Sequence, residues 1–123
     1  MLRCKTRTRV RKALIVQGQR LMVPFLTEVL QRAGLTDVVA YRSASEITVR
    51  RARPDVVVLD VDAPGMRPLE LIRTARQNTA ARIIVLTRTD DRAWNALAMA
   101  FGADRVLGPR ADRQDLFTAV AIA

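Results

Sequence analysis

The chain has 123 residues, half of them hydrophobic, which is enough to bury one core and too few for two. It contains no histidine and one cysteine, Cys4, which excludes Ser-His-Asp and Cys-His catalysis, His-ligated metal sites, a CxxC zinc or redox motif and an intramolecular disulfide. The formal charge of +9 is concentrated at the start: Arg3, Lys5, Arg7, Arg9, Arg11 and Lys12 are six of the 21 basic residues, leaving 15 against 12 acidic ones, a difference of +3, in the rest.

Residues 1–11 therefore read as a basic, flexible arm, and residues 12–123 as the folded domain. The arm has no aromatic side chain to stack on bases, so a solvated tail is the simpler reading, with weak, salt-dependent phosphate binding as the alternative. No apolar run approaches the roughly 18 residues of a membrane span, and no signal-peptide cleavage pattern follows the basic start. A soluble, cytoplasmic protein with no membrane partner is expected.

Ala13 to Val16 is a short apolar run that predicts a buried strand, followed by a polar turn, Gln17 to Gln19. From Arg20 to Ala33, Leu21, Phe25, Leu26, Val29 and Leu30 recur at helical spacing, with Pro24 tolerated in the first turn and Gly34 placed to stop the helix. Asp37 to Tyr41 predicts a second strand. Ser45 is placed to cap a short helix that must end before Arg53-Pro54. Asp55 to Asp60 is a β-branched run, as expected of a strand buried on both faces of a parallel sheet.

Pro64, Gly65 and Pro68 punctuate a loop after Asp60, and Leu69, Leu71, Ile72 and Ala75 mark a third helix. Arg82 to Thr87 predicts a fourth strand. Asp90 or Asp91 can cap a fourth helix that runs to Phe101, with Gly102 beyond its end. Arg105 to Leu107 predicts a fifth, short strand, and Asp112 with Asp115 resembles a capping box opening the last helix. Five strands, each apolar throughout, alternating with five helices imply a doubly wound parallel sheet, in which ligands sit at the carboxyl ends of the strands. Those ends are Gln17 and Gly18, Asp60, Thr87, and Gly108 or Pro109.

The run RPDVVVLDVDAPGMRPLELI, with IIVLT and FGADRVL, resembles the receiver domain of bacterial two-component response regulators, especially those preceding a helix-turn-helix output domain. The likeness extends from about Lys12 to the end of the chain. It implies a flavodoxin-like (CheY-like) five-stranded α/β fold, (βα)5, with Asp60 at the phosphoacceptor position and Thr87 at the switch hydroxyl. Pro64 and Gly65 match the loop after the phosphoacceptor.

Several positions depart from the receiver pattern. Gln17 and Gly18 stand where the resemblance implies two Mg²⁺-holding acidic residues, leaving one strand-end carboxylate and the backbone carbonyl of Asp62. Mg²⁺ prefers carboxylate and water oxygens in octahedral array, so its binding is expected to be weak or absent, with no other cofactor or resident metal. The lysine expected after the fifth strand is replaced by Pro109 in a gapless match, or by Gly108 if the Lys-Pro pair is kept in register. The aromatic switch residue is replaced by Val106, and Arg88 puts a long cation where the pattern has a small residue. Arg88 either reaches Asp60 as an internal ion pair or points to solvent.

Phosphoryl transfer depends on positioning and charge neutralisation, so these losses predict an atypical receiver that acts as a regulatory binding module and not as an enzyme. The competing reading is a working phosphoacceptor, phosphorylated on Asp60 by a histidine kinase. An enzyme on this sheet is the weakest reading, because GxGxxG and GxxxxGK[ST] are both absent. The fourth and last helices are apolar nearly all round, which predicts a homodimer or protein partner on the face of helix four, strand five and helix five. Trp94, Leu97, Phe101, Phe117 and Val120 are the interface candidates. DNA would be reached through an attached output domain, or weakly through the arm.

Overall fold

Three apolar pentapeptides make the middle of one sheet: β1 (Lys12–Val16), β3 (Val56–Asp60) and β4 (Arg82–Leu86). In a computed structural model that describes residues 11–16, 23–41, 46–61 and 67–121, β2 (Asp37–Tyr41) and β5 (Arg105–Leu107) complete it. The order is β2-β1-β3-β4-β5, with every pairing parallel. Five helices connect and flank the strands: α1 (Val23–Arg32), α2 (Glu46–Ala52), α3 (Pro68–Asn78), α4 (Arg92–Phe101) and α5 (Arg113–Ala121). Apart from Arg11, the basic arm lies outside the described residues, as do Ser45 and the predicted start of α1 at Arg20.

The two-residue period of the strands sorts their side chains into two cores. Ala13, Ile15, Val56, Val58 and Ile84 point to one face, where Leu26, Val29 and Leu30 of α1 meet Leu116, Ala119 and Val120 of α5. Leu14, Val16, Val57, Leu59, Ile83 and Val85 point to the other, against Val49 of α2, Ile72 and Ala75 of α3, and Ala98 of α4. Each fully buried Val, Leu or Ile contributes about 1.5–3 kcal/mol, so the unbroken apolar runs are the main drive for the double layer. The expectation that every strand is apolar and buried holds for the middle three. At the edge, β2 is only partly buried and Tyr41 is exposed.

Helix ends follow local chemistry. Asp91 caps α4, its side chain accepting hydrogen bonds from the backbone N–H groups of Ala93 and Trp94. At α5, the Asp115 carboxylate accepts from Asp112 N–H and the Asp112 carboxylate from Asp115 N–H, the reciprocal box expected from the sequence. Gly34 and Gly102 end α1 and α4 with positive φ (98° and 129°). Pro68 opens α3, and α2 stops at Ala52, before Pro54. Asp55 falls just outside β3, its N–H donating to the Lys12 carbonyl and its carboxylate accepting from Lys12 N–H.

Candidate functional site

Because all five strands run in parallel, the residues that follow them gather at one end of the sheet. Asp60 is the last residue of β3, paired with Leu86, and Val61 N–H donates to the Leu86 carbonyl at 3.2 Å. Thr87 follows β4 directly, and its N–H donates to the Leu107 carbonyl of β5 at 3.0 Å. These two bonds tie the ends of β3, β4 and β5 into one rim. Asp60 is half-buried there, and Thr87 is only 6% exposed, its hydroxyl accepting from Thr89 N–H at 3.2 Å.

Beside the rim lies a cavity of about 340 Å³ whose wall includes both Asp60 and Thr87. Its apolar side comes from Phe25 and Leu26 of α1, Leu86 and Leu107 of the strands and Leu116 of α5. Arg88, Gly108, Pro109, Ala111 and Asp112 complete it. Gly108 and Pro109, the two positions at which the resemblance implies a lysine, thus sit on the same wall as Asp60 and bring no charge. A Cβ on Gly108 would stand 3.4 Å from an Asp90 carboxylate oxygen.

Of the two readings of Arg88, the structure favours solvent. The residue is exposed and takes part in none of the ion pairs or hydrogen bonds found among the described residues. Gln17, Gly18 and Asp62, like Pro64 and Gly65, lie outside the described residues. Among those described, no three acidic, histidine or cysteine side chains converge as a metal site. Val106 is half-buried and packs on the core beneath α2, α3 and α4, alongside Trp94 and Phe101.

The interface candidates divide sharply. Leu97 is 47% exposed. Trp94, Phe101 and Phe117 are half-buried and pack on the two cores, and Arg73 stacks over the Phe101 ring at 4.8 Å. Val120 is corrected: it is fully buried in the α1–α5 core and offers no surface. The surplus apolar surface expected of α5 is small for the same reason, since Leu116, Ala119 and Val120 all face inward. Met99 was missed, although it is as exposed as Leu97. Also missed were the α1 and α5 contributions to the cavity, because Phe25, Leu26 and Leu116 read in sequence as ordinary core.

A (βα)5 sheet in this order is the CheY-like fold, and here a carboxylate ends β3 and a hydroxyl follows β4. The chain belongs to the response regulator receiver domain family, whose model matches residues 13–121. It is 33% identical over 94 residues to the DNA-binding response regulator MtrA of Mycolicibacterium smegmatis, a match covering 76% of this chain and 41% of that one. The chain thus spans about two fifths of the length of the curated relatives it matches. Its fold is similar to that of a response regulator from Burkholderia pseudomallei with a phosphorylated aspartic acid, calcium ion and citrate (TM-score 0.78, 21% identity, covering 89% of this chain and 66% of that one). A CheY-like receiver domain protein from Methanospirillum hungatei is also similar (TM-score 0.77, 16% identity, 91% of each chain). None of the helices among the described residues is long and apolar enough to cross a membrane.

Proposed function

We propose that this receiver domain signals without the usual Mg²⁺-dependent phosphorylation. One observation supports this above the others: the cavity wall that holds Asp60 and Thr87 presents Gly108 and Pro109 where the family pattern calls for a lysine. A phosphoryl group on Asp60 would lack that neutralising cation, and the transfer step would lose a main electrostatic contribution. The donor set does not fit a tightly held Mg²⁺ either. Gln17 offers a neutral amide and Gly18 no side chain, leaving Asp60 as the one strand-end carboxylate.

In this reading the output is a contact surface. Exposed Leu97 and Met99 on α4 would meet a second copy or another protein, and the controlled activity would be DNA binding, as the name of the MtrA relative suggests. A second reading, phosphorylation of Asp60 by a histidine kinase, is favoured by the retention of Asp60 and Thr87 on adjoining strand ends. Amide NMR spectra recorded with millimolar Mg²⁺ and beryllofluoride separate the two. The first predicts unchanged resonances at Asp60, Thr87 and Leu107; large shifts at all three establish the second.

A further inference from the structure

We infer that the amino-terminal end of the sheet, opposite Asp60, is a docking surface for the phosphate backbone of duplex nucleic acid. Strand starts and helix ends meet there. The strand starts bring Arg11, Lys12, Arg82 and Arg105, and the helix ends bring Arg32, Arg50, Arg51, Arg53 and Arg76. Against these nine cations stand three carboxylates, Asp37, Asp55 and Asp104, an excess of six positive charges. The rim around Asp60 has no such excess: Arg88, Arg92 and Arg110 are matched there by Asp60, Asp90, Asp91 and Asp112. Compensation of helix dipoles does not account for the difference. Arg32, Arg50, Arg51 and Arg76 do sit in last turns, but at about half a negative charge per helix end, five ends offset only about 2.5 of the six.

Two adjoining clefts of about 390 and 500 Å³ open at this end and share Asp55 and Ala81. Arg11, Arg76 and Arg82 line one, and Arg50 and Arg53 the other, against Asp55 and Asp104. Neutral acceptors hold two of these arginines in place: Arg50 Nη2 donates to Asn78 Oδ1 at 2.6 Å and Arg82 Nε to the Ala119 carbonyl at 2.7 Å. Such partners orient a guanidinium without cancelling its charge, and the guanidinium fork matches phosphate oxygens. None of the exposed large hydrophobic side chains lines either cleft, so neither is built to insert into a lipid surface. Neither offers an aromatic ring to a base, so contact is confined to the backbone and independent of sequence. Five strands about 4.8 Å apart make this end roughly 20 Å wide, a length over which a duplex carries about twelve phosphates, enough for every cation present. Arg3, Lys5, Arg7 and Arg9 precede Arg11 in the chain and are therefore tethered to the same end. The inference goes beyond the proposed function and holds whether or not Asp60 accepts a phosphoryl group.

The test follows fluorescence anisotropy of labelled DNA duplexes of about 20 base pairs with the full chain, from about 50 to 200 mM salt. Affinity is expected to fall with a log–log slope of about −5 or steeper, equally for two unrelated sequences. The triple variant Arg50→Gln, Arg51→Gln, Arg53→Gln should flatten the slope by about 2 to 3 and weaken binding on the order of a hundredfold. Removing the same charge from exposed positions at the other end, by Arg88→Gln, Arg92→Gln and Arg110→Gln, should change the slope by less than about 1. Arg53→Gly separates binding from folding. Its backbone is left-handed (φ 47°), which glycine adopts with less strain, so affinity should fall roughly five- to tenfold with no lower urea midpoint. Salt-independent or absent binding, equal effects of the two triple variants, or unchanged affinity in Arg53→Gly would each overturn the inference. So would a clear preference for one sequence, or tighter binding to phosphatidylserine vesicles or polyglutamate than to the duplex.

Discussion

The two ends of the sheet use the same strands and are finished in opposite ways. At the amino-terminal end, Arg76 of α3 donates to the carbonyls of Gly102, Thr79 and Ala81 and pairs with Asp104 at 3.2 Å. Asp104 in turn accepts from Ile83 N–H at 2.8 Å, and Asp55 accepts from Lys12 N–H at 2.8 Å. Arg76 and Asp104 thus fasten α3 to the end of α4 and to β4, and Asp55 fastens β1 to the start of β3. The carboxyl-terminal end has a cavity, an exposed Arg88, and Gly108 and Pro109 without charge. Among the described residues, charged side chains fasten the amino-terminal end, whereas backbone bonds from Val61 and Thr87 tie the carboxyl-terminal rim and a cavity lies beside it.

The largest effect is expected where the fastened end leaves no room. Gly102 has φ +129°, and a Cβ there would lie 2.6 Å from the Arg76 Cβ, so a side chain meets both backbone strain and a clash. Gly102→Val should cost about 3 kcal/mol, read as a lower midpoint in urea unfolding at unchanged slope. A loss below about 1 kcal/mol would mean the two ends are equally compliant. Arg76→Leu comes next. It strips the partners from three carbonyls and one carboxylate, with the backbone left intact, and should cost about 2 kcal/mol because the side chain is partly exposed and water replaces some of the bonds. Asp104→Asn, which retains an acceptor for Ile83 N–H, should cost less.

Much of this fold is legible in sequence because its strongest signals are local. The runs LIV, VVVL and IIVL are too short and too uniformly apolar for surface helices, and Asp91, Asp112 and Gly102 mark helix ends through bonds to their own neighbours. The rim is legible for the same reason, since residues following parallel strands must meet. What sequence could not supply was direction. On α5, Phe117 and Val120 are equally apolar, yet only the packing shows that Val120 is buried beneath α1 while Phe117 stays half-exposed. Arg88 has two physically sound orientations in sequence, and only the fold chooses between them. The Arg76 network was equally hidden, because an arginine near the end of a helix has the pattern of a solvated one until carbonyls from distant segments converge on it.

A smaller effect should come from Asp91→Ala. The two N–H groups it caps, those of Ala93 and Trp94, lie at an exposed helix start where water can replace the carboxylate. The expected loss is about 1 kcal/mol. The informative readout is local: hydrogen exchange should accelerate in the first turn of α4 and stay unchanged in β1 and β3. Faster exchange in the central strands would show the first turn of α4 to be part of what holds the sheet.

The smallest effect tests the open end directly. Gly108 is not among the positive-φ glycines, so its backbone does not demand glycine, and an added Cβ would meet only an Asp90 carboxylate oxygen at 3.4 Å and the Thr89 carbonyl at 3.7 Å. Gly108→Lys therefore brings a tight but yielding contact, an attractive charge near Asp90 and a less flexible unfolded chain. The first of these opposes the other two. The net change should stay within about 1 kcal/mol in either direction. Urea unfolding of this variant beside Gly102→Val places a glycine from each end on one scale. A lysine that costs as much as the valine would show the pocket to be as tightly built as the Arg76 network, and the absence of a lysine at Gly108 and Pro109 would then have a structural cause.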